Sequence, residues 1–138
     1  MNTIETIQEN IVEEFALFSD WMEKYEYLID LGKNMPLIDE ANKNDSTLIK
    51  GCQSRVWLSC REDGGTLSFK ADSDAIITKG MISLLLRVFN GQKAEDILKA
   101  DMSFIDRIGL KENLSPTRAN GLVSMIEKIK GYAAVHCA

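Results

Sequence analysis

The chain has no run of about 18 consecutive apolar residues, the shortest that crosses a bilayer as a helix, so no membrane span is expected. It has no cluster of lysine and arginine either, and its net charge is −5. Nucleic-acid binding rests on a concentrated basic surface, so that class of partner is excluded. The one histidine, His136, stands third from the end, and no Cys-x-x-Cys pair occurs. That leaves no metal-ligand pattern. A Cys–His nucleophile pair would need the tail to fold back across the protein. Cysteines are few: Cys52, Cys60 and Cys137, odd in number and irregular in spacing. They make no disulfide framework, which points to a reducing, cytoplasmic compartment. The first residues, Met1-Asn2-Thr3-Ile4-Glu5, lack the basic-then-apolar order of a secretory signal.

What is present suits a globular protein. The 138 residues are 45% hydrophobic, enough for a continuous core without staples, and one domain over residues 1–138 is expected. Ile4, Ile7, Ile11 and Phe15 recur at helical spacing and predict a helix from 4 to about 17. Asp20 with Glu23 gives a capping-box-like start to a second helix, which Gly32 is expected to stop. Pro36 and the polar run at 42–46 predict a loop. Thr47-Leu48-Ile49 reads as a short strand. Val56, Leu58 and Cys60 alternate with Trp57, Ser59 and Arg61, and Leu67, Phe69 and Ala71 alternate with polar neighbours. Those two strands flank Asp63-Gly64-Gly65, a tight hairpin.

Asp72 or Ser73 is expected to cap the next helix and Gly91 to end it. The broad stripe Ile76, Ile77, Met81, Leu84, Leu85, Val88 and Phe89 should lay that helix on the sheet. Gly80 in its middle implies a close helix–sheet contact. Short helical pieces follow near 95–98 and 104–108. Ser115 with Pro116 opens a last helix running to about 132. The order is helices, a meander, then helices: an α+β fold with a small antiparallel sheet of about three strands.

Cys52 is the chemical signal. It follows Gly51 in the polar stretch Gly51-Cys52-Gln53-Ser54-Arg55, between two segments that read as strands. Loops on rigid scaffolds are where reactive groups are placed, although free cysteines are also among the most buried residues. Lys50 and Arg55 are candidate cations beside the thiol, and Ile49 and Val56 could line a resting pocket. Cys60 shares the parity of Val56 and Leu58 and is expected to pack. Eight residues of extended chain would put it roughly 26 Å from Cys52. Cys137 falls in a tail where fraying is the default. Trp21, Tyr25 and Trp57 are core candidates; Trp57, on the polar parity of its strand, is the strongest of the three as a partner contact.

The block Gly51-Cys52-Gln53-Ser54-x-Val56-Trp57 resembles the SufE family, in its SufE and CsdE branches. So do three others in family order: Trp21-x-x-Lys24-Tyr25-x-Tyr27-Leu28 through Pro36-Leu37, Asp72-Ser73-Asp74-Ala75 with Lys79-Gly80, and Leu114-Ser115-Pro116-Thr117-Arg118 with Gly121-Leu122. The resemblance covers residues 11–132 and implies a SufE/NifU-like scaffold fold. It also implies a sulfur-transfer accessory, not an enzyme in the strict sense. Such a protein accepts sulfane sulfur as a persulfide on Cys52 from a cysteine desulfurase of the SufS or CsdA type. It then delivers that sulfur to an iron–sulfur scaffold.

No cofactor or metal of its own is implied, since the pyridoxal phosphate belongs to the desulfurase. The implied partner surface surrounds the loop: Gly51, Gln53, Ser54 and Arg55, with Arg118 and the edge carrying Asp74. Asp74 itself reads as a carboxylate in the first turn of a helix, where capping explains it. The alternative is an assembly scaffold of the NifU/IscU type, a fold that the implied one resembles. Cluster ligation takes close to four protein ligands, and this chain offers one thiol in a suitable place.

Overall fold

The structure, a computed structural model, describes residues 3–137, with side chains through 136. The first helix, α1 (Ile4–Ala16), is capped by Thr3, whose hydroxyl accepts the Thr6 N–H at 3.1 Å. It buries Ile4, Ile11 and Phe15 of the predicted stripe and leaves Ile7 half-buried. The second helix, α2 (Trp21–Lys33), starts where Asp20 accepts the Glu23 N–H at 2.9 Å. Gly32 does not stop it. The helix runs one residue further to an Asn34 cap, and Gly32 is buried inside it.

Strands β1 (Val56–Asp63) and β2 (Thr66–Ser73) pair antiparallel from Val56↔Ser73 to Asp63↔Thr66. Gly64 and Gly65, at φ +62° and +90°, make the two-residue turn that matches strand twist. Val56, Leu58, Leu67, Phe69 and Ala71 point inward from this hairpin. The sheet has three strands, but the third is not the expected one. Thr47-Leu48-Ile49 makes only a bridge at Leu48↔Trp57. The third strand, β3 (Gln92–Lys93), pairs with Thr66 and Leu67 on the other side of β2. Two residues carry no readable period, so sequence pattern could not find it.

Helix α3 (Ile76–Phe89) crosses behind β2, with Met81, Leu84, Leu85, Val88 and Phe89 buried. Neither Asp72 nor Ser73 caps it directly. Both belong to β2, the cap position is Ala75, and the Ser73 hydroxyl accepts only the Ala75 N–H, at 3.2 Å. Gly80 is indeed a close-contact residue, but the partner is α2 rather than the sheet. A Cβ there would lie 2.3 Å from the Leu28 carbonyl oxygen, and one on Gly32 would lie 3.1 Å from the Gly80 nitrogen. The two glycines let α2 and α3 cross almost backbone to backbone.

Helices α4 (Ala94–Lys99) and α5 (Phe104–Arg107) match the two expected pieces. The last helix, α6 (Pro116–Cys137), opens where Ser115 accepts the Arg118 N–H at 3.2 Å. It runs about a turn past the predicted end, because Leu122, Met125, Ile129 and Ala133 keep its inner face buried. Cys137, expected in a frayed tail, ends this helix, and its side chain lies outside the described residues. Tyr132 ties α6 to β1 by donating to the Leu58 carbonyl at 2.7 Å. Among the described residues no helix is long and apolar enough to cross a membrane. The α+β class expected from the sequence is the one observed.

Candidate functional site

The loop joining the Leu48 bridge to β1 is held by its arms. On one arm, Ile49 N–H donates to the Val56 carbonyl at 2.8 Å. On the other, Arg55 is fixed three ways. Its N–H donates to Asp74 Oδ1 at 3.0 Å, and its carbonyl accepts from Ser73 Oγ at 2.8 Å and from the Asp74 N–H at 3.2 Å. Asp74 is therefore a clamp on the loop base. It lies before α3 and does not cap it, so the sequence pattern placed it in the wrong element.

The tip of the loop rests on α6. Gly51 turns the chain at φ +90°, a conformation strained for any side chain, and its own Cβ would fall 2.4 Å from Ser124 Oγ. Cys52 follows, half-buried, and its Sγ donates to the Gly121 carbonyl at 3.6 Å. A Cβ on Gly121 would sit 3.4 Å from the sulfur, so glycine at 121 leaves the thiol its berth. Burial pushes the Cys52 thiol up from its ordinary pKa, and no charged group contributes to that shift. Lys50 and Arg55, the expected cations, are not among its causes.

Beside the thiol opens a pocket of about 340 Å³. Cys52, Gln53 and Ser54 form its loop wall, and Thr78 and Met81 come from the start of α3. The opposite wall is α6, with Arg118, Gly121 and Met125. Ile49 and Val56, expected to line it, are instead buried in the core on the strand side. Arg118 is exposed, and among the described residues no carboxylate pairs with it.

Of the residues singled out in the sequence, then, the fold gathers Cys52, Gln53, Ser54 and Arg118 around one pocket. Arg55 and Asp74 pair with each other at the loop base, and Gly51 leans on Ser124. Thr78, Met81 and Met125 were missed, because each fits the apolar or small-polar pattern of its own helix. Gly121 carried a signal as a glycine inside a helix, the same signal that Gly80 gave.

Cys60 is elsewhere. It is half-buried at the edge of the core and lines a separate cavity of about 610 Å³ with Ser59 and Arg61. Burial, with Glu62 nearby, pushes its thiol up to about 11. Trp57 is half-buried with the Lys43 ammonium 5.0 Å above its ring, an intramolecular cation–π contact that occupies its outer face.

Comparison with known proteins agrees with this architecture. The model of the family described as "SufE: Fe-S metabolism associated domain" matches residues 9–133. An uncharacterized SufE-like protein of Rhizobium meliloti (strain 1021) is 38% identical over 133 residues, covering 93% of this chain and 95% of that protein. An uncharacterized SufE-like protein of Rhizobium etli is 36% identical over 135 residues, covering 94% and 91%. The solution structure of a hypothetical protein from Thermus thermophilus superposes with a TM-score of 0.79 over 95% of this chain and 96% of that one. Its 17% identity makes that a likeness of fold. The motif blocks in the sequence and the match over nearly the whole chain agree: the chain belongs to the SufE family, associated with iron–sulfur metabolism.

Proposed function

We propose that this protein accepts sulfane sulfur from a cysteine desulfurase as a persulfide on Cys52 and delivers it for iron–sulfur cluster assembly. The observation that carries the reading is the placement of Cys52: a half-buried thiol on a loop tip that one weak hydrogen bond tethers, beside a pocket large enough for more than a sulfur atom. The reaction is an exchange. The Cys52 thiolate attacks the outer sulfur of the donor's persulfide; the new S–S bond forms as the donor's breaks, and the donor leaves as a thiolate. The proton lost by Cys52 goes to that thiolate or to solvent, and no external oxidant or reductant is consumed.

At rest the raised pKa keeps the thiol protonated, which protects it from adventitious reaction. Docking on the surface formed by Gly51, Gln53, Ser54, Arg55, Asp74 and Arg118 would draw the tip out and free the thiolate. The protein then acts as an activator of the desulfurase rather than as an enzyme, working where such a desulfurase works, in the cytoplasm. The scaffold alternative of the NifU/IscU type finds less support. Among the described residues no three His, Cys, Asp or Glu side chains converge.

The test is incubation with desulfurase and cysteine followed by intact mass and peptide mapping. One added sulfur, about 32 Da, on Cys52 supports transfer. Cys52→Ser should abolish it, and Cys60→Ala should leave it. Bound iron without a sulfur adduct would transfer the case to the scaffold.

A further inference from the structure

Thr78, in the first turn of α3, is 6% exposed and lines the pocket beside Cys52. Among the described residues its hydroxyl has no hydrogen-bond partner. No side-chain nitrogen or oxygen among those residues is both sealed and unpaired, so the hydroxyl keeps a little surface, and Thr78 lines the pocket. A hydroxyl with no partner in the protein is a donor free to meet a guest in that pocket. The wall around it is soft: Met81 and Met125, 1% and 0% exposed, line the same space. Polarizable sulfur packs well against a polarizable guest.

We propose that Thr78 holds the sulfane sulfur: when Cys52 is a persulfide, its terminal sulfur reaches into the pocket and accepts a hydrogen bond from the Thr78 hydroxyl. The inference rests on the acceptor reading above and adds a residue to it. The S–S bond carries the terminal sulfur about 2 Å beyond Sγ. The pocket has ample room for it. A persulfide is a stronger acid than a thiol, so that sulfur is anionic at neutral pH. Hydrogen bonds to a charged acceptor are roughly twice as strong as neutral ones. Arg118 stands at the exposed mouth, whereas Thr78 is the donor in the interior. Its rigid helix keeps that donor in place while the loop tip moves.

The reaction that this contact opposes is loss of sulfur to a small thiol. A glutathione thiolate attacks the terminal sulfur, leaves as glutathione persulfide, and releases the Cys52 thiolate. Holding the terminal sulfur in the pocket slows that attack without blocking delivery once the loop is drawn out.

The experiment loads wild type, Thr78→Val and Thr78→Ser with desulfurase and cysteine, removes the donors, and adds reduced glutathione. Intact mass follows the one-sulfur adduct with time. Thr78→Val should lose its sulfur about tenfold faster than wild type, as expected for one hydrogen bond to an anion, and Thr78→Ser should restore the slow rate. A second readout is the pH at which the persulfide absorbance appears. It should rise by about one unit in Thr78→Val, because the anion has lost a donor. Alkylation of the unloaded Cys52 thiol should be the same in all three, and Thr78→Ala stands in if the valine variant misfolds. Equal sulfur lifetimes and equal persulfide pKa values in wild type and Thr78→Val overturn the role of Thr78 and leave the acceptor reading intact. No adduct in wild type overturns both.

Discussion

Gly80→Ala is the substitution whose cost can be worked most directly. Helix propensity alone says it should stabilise, by about 1 kcal/mol, because alanine replaces glycine in a helix interior. The crossing with α2 says otherwise. The new Cβ would lie 2.3 Å from the Leu28 carbonyl oxygen, 2.7 Å from the Leu28 carbonyl carbon and 3.1 Å from the Leu28 Cβ. The two closest atoms are backbone and cannot rotate aside. Carbon contacts are comfortable from about 3.5 Å, so α2 must retreat by roughly 1 Å along its length. A gap of that size forfeits a quarter to a half of the dispersion attraction across the interface, and overpacking costs about 1–3 kcal/mol or more.

The clash wins, with a net loss of about 2 kcal/mol and a melting temperature lower by roughly 5–10 °C. Gly32→Ala, whose nearest contact is 3.1 Å, should lose less. Urea unfolding with an unchanged m-value checks both. The site should register the change too, since Thr78 and Met81 flank Gly80 on α3. A Gly80→Ala protein as stable as wild type, or more so, would refute the backbone-to-backbone crossing.

Arg118→Ala should leave stability within about 0.5 kcal/mol, because the side chain is exposed and, among the described residues, unpaired. It should nonetheless weaken desulfurase stimulation roughly threefold or more, a rim-charge effect that fades with salt; normal stimulation with a large stability loss would assign Arg118 to the fold. Burial raises the Cys52 pKa, and only the thiolate alkylates. The free protein should therefore react more slowly at pH 7 than an unfolded cysteine peptide, with a rate that climbs to a midpoint above the peptide's. Equal rates at pH 7 would show that the thiol is not shielded at all.

The helices and the hairpin were legible because each carries its own period or turn. Ile4, Ile11 and Phe15 mark α1 by spacing, and Gly64-Gly65 marks the turn by its demand for positive φ. What failed was whatever depends on a neighbour distant in sequence. Gly32 looks like a stop and is a packing contact, because α3 arrives against it. Thr47-Leu48-Ile49 has the composition of a strand, yet it forms only a bridge, at Leu48. The pocket followed the same rule. Cys52 and Arg118 were visible as motif residues, but Thr78 and Met125 come to line the pocket only when α3 and α6 converge on the loop. Ile49 and Val56 were chosen to line it by adjacency in sequence, and adjacency pointed at the core.

That convergence also sets where the loop is held firmly and where it is held lightly. Asp74 and Ser73, at the junction of β2 and α3, grip Arg55 through three hydrogen bonds. The same junction leads within four residues to Thr78. The loop base and the floor of the pocket are thus one mechanical unit, and opening the base would disturb the floor as well. At the other arm, Ile49 is tied to Val56 and so to the sheet. The lightest hold is on residues 50–54, where one hydrogen bond from sulfur fixes the tip and Gly51 already turns through a conformation that other residues resist. A weak tether on a short segment makes the tip easy to release. On the proposed release by a docked partner, clamped arms would return it to the same place, with Cys52 beside Gly121 and the pocket.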